Sequence, residues 1–197
     1  MKVVLATNNQ GKVMELRQLL KALPIEIMSL KDFPQMPEVE EDGETFQANA
    51  LKKAKEVCEY NGLVAMADDS GLEVDYLDGA PGVYSARFAG EPKNDDANNQ
   101  KLLDLLAGVA DDQRTARFRC AIAIYTPEGE QFVTEGTCEG RIGHQLQGGG
   151  GFGYDPLFYL PEYNQTFAEI SLELKNQISH RGRATVQAVE ILKKLVG

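Results

Sequence analysis

The chain has 197 residues, 43% of them hydrophobic, which is enough apolar material for the core of one compact domain or of two lobes. Its formal net charge of −10 argues against a protein that coats duplex nucleic acid, because that function needs a basic face. No apolar run approaches the ~20 residues of a membrane-spanning helix. The N-terminal stretch MKVVLATNNQ turns polar too early for a signal peptide. We therefore expect a cytoplasmic protein with no membrane or nucleic-acid partner.

Cysteine and histidine usage limits the chemistry further. The three cysteines form no CxxC pair and leave an odd count, which predicts reduced, largely buried thiols rather than a disulfide framework. With only two histidines, a histidine-rich metal site is excluded. Any metal is expected to be a hard cation held by oxygen ligands, such as Mg²⁺ or Mn²⁺.

The N-terminal part of the chain alternates between predicted strands and helices. The expected elements are a strand at 2–6, a helix at 11–23, a strand at 25–29, a helix from 46 to about 60 and a strand at 63–67. Apolar residues at helical spacing, such as Leu16 and Leu20, support the first helix. Thr45 is a plausible N-cap for the second.

The pattern changes in the C-terminal part. Asn94 or Asp95 is expected to cap a leucine-bearing helix, and Ser179 to cap the final one. From Thr115 two long apolar segments flank a Pro-Glu-Gly turn and predict a hairpin. This order of elements predicts a mixed α/β fold over residues 1–197.

Two stretches near strand ends carry candidate chemistry. ATNNQGK, residues 6–12, joins a strand to a helix, where backbone N–H groups and Lys12 are suited to hold a phosphate. The alternative is an ordinary turn with a solvated lysine. MADDSG, residues 66–71, offers two adjacent carboxylates that could bind Mg²⁺ or act as a general base, or merely cap a turn. The acidic loop 39–46 could add a metal ligand or be solvated.

Two further stretches could recognise a base. GGGGFGYDP, residues 148–156, predicts a place where a ligand or another backbone comes very close. Its two aromatic rings could stack on a base, which is worth ~1–3 kcal/mol, or could be buried in the core. KNQISHRGRA, residues 175–184, places a lysine, a histidine and an arginine near a helix start, where they could bind an oxo group or an anion.

Taken in order, T-x-N-x-x-K, ADDSG, GGFGYDP and SHR resemble the inosine/xanthosine triphosphate pyrophosphatase family, and the resemblance spans essentially the whole chain. It implies an elongated, mixed β-sheet flanked by helices, in two lobes with a central substrate cleft. It also implies a homodimer and a Mg²⁺-dependent reaction. The implied substrates are ITP, dITP and XTP, and the products are the monophosphate and pyrophosphate.

The resemblance implies a role for each matching residue. Asp69 would be the general base and a metal ligand, and Glu40 and Asp68 would help hold Mg²⁺. It is left open whether Glu40 or Glu41 is the ligand, and which aromatic ring stacks on the base. The residues expected to bind substrate are Thr7, Asn8, Asn9, Gln10, Gly11, Lys12, Lys53, Ser70, Phe152, Gly153, Tyr154, Asp155, Lys175, His180 and Arg181.

The mechanism expected from these residues is attack of water on the α-phosphorus, with Asp69 accepting the proton. Hydrogen-bond donors from His180, Arg181 or backbone N–H groups would donate to the 6-oxo group of hypoxanthine or xanthine and would leave the amino group of adenine badly paired. Two alternatives stay open. One is a pyrophosphatase for modified pyrimidine nucleotides, and the other is a nucleotide-binding module without turnover.

Overall fold

A computed structural model of the chain describes residues 1–196. The strands are β1 (Lys2–Leu5), β2 (Glu26–Ser29), β3 (Val64–Val74), β4 (Thr115–Tyr125), β5 (Gln131–Ile142), β6 (Phe158–Leu160) and β7 (Gln165–Thr166). The α-helices are α1 (Gln10–Leu20), α2 (Phe46–Asn61), α3 (Asp95–Leu105), α4 (Leu172–Ile178) and α5 (His180–Val196). Short 3₁₀ helices lie at Leu30–Asp32, Asp75–Leu77, Gly82–Arg87 and Asp111–Gln113.

The strands form one sheet in the order β2-β1-β3-β4-β5-β6-β7. Strand β1 pairs in parallel with both β2 and β3, and the register places Leu5 beside Ser29 and Met66. Parallel neighbours need crossover connections, which α1 and α2 provide. Strands β5, β6 and β7 pair antiparallel. The expectation of a mixed sheet flanked by helices is therefore confirmed.

Residues 1–69, 120–136 and 180 onward form a first compact unit. Its core is aliphatic and its largest buried members are Leu5, Leu16, Leu20, Met66, Ile122, Ile124 and Leu192. Helices α1 and α5 contact each other. Asn9 caps α1 and Thr45 caps α2, each by accepting a backbone N–H from the first turn.

Residues 70–119 and 137–179 form a second compact unit. Its core contains the rings of Phe118, Phe158 and Phe167, whose centroids lie 4.6 to 5.7 Å apart. Leu102 and Leu106, from the region of α3, pack into the same core. That both units serve a single pyrophosphatase domain stays a prediction.

The observed elements match the predicted ones in order, and the exceptions have physical reasons. Helix α1 ends at Leu20, three residues early, because the proline at 24 disfavours helix in the residues before it. Strand β3 does not end at Ala67 as predicted but continues through the ADDSG motif to Val74. Helix α4 and strands β6 and β7 were not predicted, because they are too short to show a hydrophobic period.

Two expectations about the environment can be compared with the structure. Cys58, Cys120 and Cys138 are all free and buried, which confirms the prediction of unpaired thiols. Within residues 1–196, no helix has both the length and the apolar character to cross a membrane.

Candidate active site

The junction of β1 and α1 places the predicted phosphate cradle at a capped helix N-terminus. Asn9 Oδ1 accepts the N–H of Lys12 at 3.2 Å, and Thr7 Oγ accepts the N–H of Asn9 at 3.2 Å. Asn8, Asn9 and Gln10 are exposed, and the first turn carries no acidic residue. The free N–H groups and the dipole of α1 therefore face a region that is open to an anion.

Strand β3 directs the two adjacent aspartates to opposite faces of the sheet, because successive side chains on a strand alternate. Asp68 contacts residues of α1 and α5, whereas Asp69 contacts residues of α2. Both carboxylates are buried. Their environments differ, so they cannot act as one carboxylate pair.

The Asp68 carboxylate is bound by two cations. Lys12 Nζ lies 3.1 Å from Asp68 Oδ2, and Arg181 donates to the same oxygen from Nε at 3.1 Å and from Nη2 at 3.0 Å. Arg181 Nη1 donates to Glu15 Oε2 at 2.5 Å. Burial opposes ionisation of Asp68, but Lys12 and Arg181 outweigh it and hold the pKa of this carboxyl far below its usual range.

The Asp69 carboxylate is held from α2. Asn49 Nδ2 donates to Asp69 Oδ2 at 3.0 Å, and Lys53 Nζ lies 3.9 Å from Asp69 Oδ1. Burial raises the pKa of Asp69 above its ordinary value, and Lys53 and Lys12 only partly oppose this effect. A raised pKa is typical of a carboxylate that accepts a proton during a reaction.

Lys53 connects Asp69 to the acidic loop. Its ammonium donates to Glu41 Oε1 at 2.5 Å and to the carbonyl oxygen of Asp68 at 2.7 Å. Burial lowers the pKa of Lys53, but Asp69 and Glu41 more than compensate, so the lysine is protonated. The carboxylates of Asp69 and Glu41 therefore already stabilise one positive charge, that of the Lys53 ammonium.

The structure favours Glu41 over Glu40 as the partner of Asp69. Glu41 is half-buried and shares Lys53 with Asp69, whereas Glu40 is exposed. Within residues 1–196, no three Asp, Glu, His or Cys side chains are close enough to form a metal site. The predicted trio of Glu40, Asp68 and Asp69 is therefore not brought together here.

The glycine-rich loop of the second unit packs closely against the protein itself. A Cβ on Gly151 would lie 2.0 Å from Asp155 Oδ2, and one on Gly148 would lie 2.6 Å from the backbone of Ala168. Both glycines also have positive φ angles. Gly149, in contrast, has nothing within 4 Å of such a Cβ. At least two of the four glycines are therefore required by the fold of the loop.

The two aromatic rings of this loop have different environments. Tyr154 is buried, and its hydroxyl donates to the carbonyl oxygen of Ser85 at 2.7 Å. Phe152 is half-exposed, and Lys175 Nζ lies 4.8 Å from its ring centroid. Of the two, only Phe152 is partly exposed.

Asp155 and Lys175 form a buried ion pair. Lys175 Nζ lies 2.6 Å from Asp155 Oδ2, and the same oxygen accepts the N–H of Phe152 at 2.9 Å. Gly153 is held by Asp95 Oδ2, which accepts its N–H at 2.8 Å. These contacts fix the conformation of the loop that carries Phe152.

The remaining predicted residues lie at element boundaries. His180 is buried at the start of α5, where Gly136 approaches so closely that a Cβ there would lie 2.1 Å from the His180 carbonyl oxygen. Gly11 lies in the first turn of α1. Ser70 is half-buried and follows Asp69 along β3.

Sequence reasoning missed two residues of this cluster, Glu15 and Asn49. Both are buried: Glu15 lies on the otherwise apolar buried face of α1, and Asn49 lies on the buried face of α2 that also carries Lys53. A polar residue at a core position of an amphipathic helix was the available signal, because such a residue is normally retained only with a partner.

The mixed sheet and its flanking helices define an α/β protein. In its first unit, lysines and carboxylates meet beside a helix N-terminus, and such a site is suited to a phosphorylated ligand. The chain belongs to the Ham1 family, whose model matches residues 3–191. It is 64% identical to the dITP/XTP pyrophosphatase of Desulforamulus reducens over 99% of this chain and 97% of that one. It is 54% identical to the dITP/XTP pyrophosphatase of Geobacter sulfurreducens, covering 93% and 92% of the two chains.

A solved structure supports the same assignment. A HAM1 protein from Coxiella burnetii matches with a TM-score of 0.88 and 40% identity, covering 98% of this chain and 99% of that one. The family resemblance that the motifs indicated is confirmed by these comparisons.

Proposed function

We propose that this protein hydrolyses deaminated purine nucleoside triphosphates, namely ITP, dITP and XTP, to the monophosphate and pyrophosphate. The observation that carries the proposal is the 64% identity, over 99% of this chain, to a dITP/XTP pyrophosphatase. The lysine and carboxylate cluster of the first unit supplies the charges that such a reaction needs.

Asp69 is the proposed general base, and it would take a proton from the water that attacks the α-phosphorus. Its pKa is raised by burial, and Asn49 fixes its orientation through a 3.0 Å hydrogen bond. Lys12 and Lys53 bring positive charge to the two sides of the same strand and would stabilise the departing pyrophosphate. The N-terminus of α1, with Thr7 and Asn9, would bind phosphate oxygens.

The acidic residues on the Asp69 side fit a hard divalent cation. Carboxylate oxygens are the ligands that Mg²⁺ prefers, and Glu41 and Asp69 both lie within 4 Å of the Lys53 ammonium, where a cation is already stabilised. We assign the holding of Mg²⁺ to Glu41 and Asp69. When bound, the metal would supply positive charge to the phosphate oxygens. Asp68 is bound by Lys12 and Arg181, and its role is to orient them.

Phe152 is the proposed stacking residue, because it is partly exposed and its backbone N–H is held by Asp155. Tyr154 would support the loop from the core through its bond to Ser85. His180 and backbone N–H groups are the proposed donors to the 6-oxo group of the base. A donor at this position pairs with hypoxanthine or xanthine and leaves the amino group of adenine unpaired, which is costly in a buried site.

We further propose that the protein is a cytoplasmic homodimer that binds neither nucleic acid nor membrane. The three free, buried cysteines are consistent with a reducing compartment. The net charge of −10 disfavours binding to nucleic acid. Sedimentation velocity would test the dimer directly, and a monomer at micromolar concentration would contradict it.

Product analysis tests the proposed reaction. The protein is incubated with ITP, XTP, GTP and ATP, with Mg²⁺ and with excess chelator, and the products are separated by ion-exchange chromatography. We expect monophosphate and pyrophosphate from ITP and XTP, and only with the metal. Orthophosphate with a diphosphate would mean attack at the γ-phosphorus and would contradict the mechanism. Nucleotide binding without turnover would favour a binding module.

A further inference from the structure

We propose that Glu15, which lies outside the residues assigned above, is a positioning residue for the hydrolysis proposed here. It acts through Arg181, which orients Asp68 and thereby the ammonium of Lys12. The inference depends on the proposed function, because it concerns the same reaction.

Glu15 and Arg181 are joined inside the first unit. Glu15 is only 3% exposed on α1, and Arg181 is only 2% exposed on α5. Glu15 Oε2 accepts from Arg181 Nη1 at 2.5 Å. A glutamate is rarely buried unless it is paired with a cation, so this contact explains its position.

Arg181 transmits this constraint to strand β3. Its Nε and Nη2 both donate to Asp68 Oδ2, at 3.1 and 3.0 Å. The planar guanidinium therefore lies between two carboxylates and cannot turn toward one without weakening its contact with the other. One side chain thus links α1, β3 and α5.

Lys12 completes the network. Its ammonium lies 3.1 Å from the oxygen of Asp68 that Arg181 also contacts. Glu15 lies three residues after Lys12, so α1 contributes both an anion for Arg181 and a cation for Asp68. The positive charges of Lys12 and Arg181 are matched by the negative charges of Glu15 and Asp68. This network holds the Lys12 ammonium in one position near the N-terminus of α1.

Removal of the Glu15 charge disturbs this balance. Asp68 is then the one anion of this network left for Arg181. Arg181 competes with Lys12 for Asp68 Oδ2, and the position of Lys12 becomes less well fixed. A misplacement of about 1 Å at a reacting group can cost ~10²-fold in rate. Lys12 is assigned to charge that develops on the leaving pyrophosphate, so the effect should fall on kcat rather than on KM.

The test compares Glu15→Gln, Lys12→Met and the double variant with ITP as substrate. We expect Glu15→Gln to lower kcat about 10- to 100-fold and to change KM less than about threefold. Because Glu15 acts through Lys12, adding Glu15→Gln to Lys12→Met should cost little more. The matched control is Glu190→Gln, which removes an exposed carboxylate of α5 that pairs with Lys193 and should leave kcat unchanged.

The possible outcomes separate the two proposals. If wild-type protein turns over ITP and Glu15→Gln has normal kcat, the positioning role is wrong and the proposed function stands. If the kcat losses of Glu15→Gln and Lys12→Met are additive on a free-energy scale, Glu15 does not act through Lys12 and the positioning role is wrong. If wild-type protein hydrolyses none of the four nucleotides, the proposed function and this role fail together. Should Glu15→Gln not fold, Glu15→Asp keeps the charge and should give a smaller loss with the same non-additivity.

Discussion

Lys53 Nζ donates to the carbonyl oxygen of Asp68 at 2.7 Å and so joins helix α2 to strand β3. Its neighbour Lys52 is a matched control, because it pairs with Asp42 at the surface. We expect Lys53→Met to lower kcat by about 10²- to 10³-fold, as the loss of one charge-stabilising donor typically does.

Lys52→Met should retain kcat within about twofold, because an exposed pair contributes little. Both variants are measured with ITP at saturating Mg²⁺, and circular dichroism verifies that both are folded. Equal losses in the two variants would mean that the lysines act only through the general field of α2.

Substitutions of Asp68 and Asp69 should affect stability and activity differently. Asp69→Asn should lower kcat about 10²- to 10⁴-fold, because it removes the proposed base. Its stability should be equal to or higher than that of the wild type, because burial disfavours the charge that is removed.

Asp68→Asn should instead lose about 3–5 kcal/mol of stability, because Arg181 and Lys12 lose the carboxylate that they share. Urea unfolding and steady-state kinetics on the two variants measure both quantities. An Asp69→Asn enzyme with full turnover would show that another group is the base.

The course of strand β3 shows where sequence reasoning stops. Asp-Asp-Ser-Gly is typical of a turn, because these residues bond to their own backbone. Here the strand continues, because the charge of Asp68 is matched by Arg181, which lies 113 residues further along the chain. Such a long-range partner cannot be inferred from local pattern, whereas the N-cap of α2 at Thr45 was correctly predicted from a local signal.

The glycine loop shows the same limit. The sequence correctly indicated a close approach at residues 148–151, but it could not show what approaches. The structure gives Asp155 and the backbone of Ala168 as the neighbours. Likewise, the order of the residues could not show which of Phe152 and Tyr154 is buried.

Gly151 and Gly149 test this packing with the same substitution. Gly151→Ala should destabilise the protein by at least about 2 kcal/mol, because its Cβ would meet the Asp155 carboxylate and its φ is +71°. Gly149→Ala should be neutral or up to about 1 kcal/mol stabilising, because the space is open and the unfolded chain loses freedom. Thermal unfolding compares the two, and equal stability would contradict the observed loop.

The two aromatic residues of the loop should also give different results. Phe152→Leu should raise the KM for ITP roughly 5- to 150-fold, which corresponds to the ~1–3 kcal/mol of base stacking. Tyr154→Phe should keep KM near the wild-type value and lose about 1 kcal/mol of stability, because only the bond to Ser85 is removed. A large KM change in Tyr154→Phe alone would mean that Tyr154 is the stacking residue.

Cys120 should be inert to alkylation in the folded protein. Burial raises the pKa of this thiol from 9.0 to about 12, and Asp68 acts in the same direction, so the reactive thiolate is scarce below pH 11. Because the folded-state pKa is the higher one, the stabilisation from keeping this thiol protonated is complete below about pH 9 and is lost as pH rises toward 12.

Iodoacetamide labelling with site-resolved mass spectrometry from pH 7 to pH 10 should modify Cys120 slowly in buffer. In urea, labelling should be fast and rise with pH around 9, as expected for an ordinary thiol. Rapid labelling in buffer with a midpoint near pH 9 would show that the Asp68 side of the sheet opens to solvent.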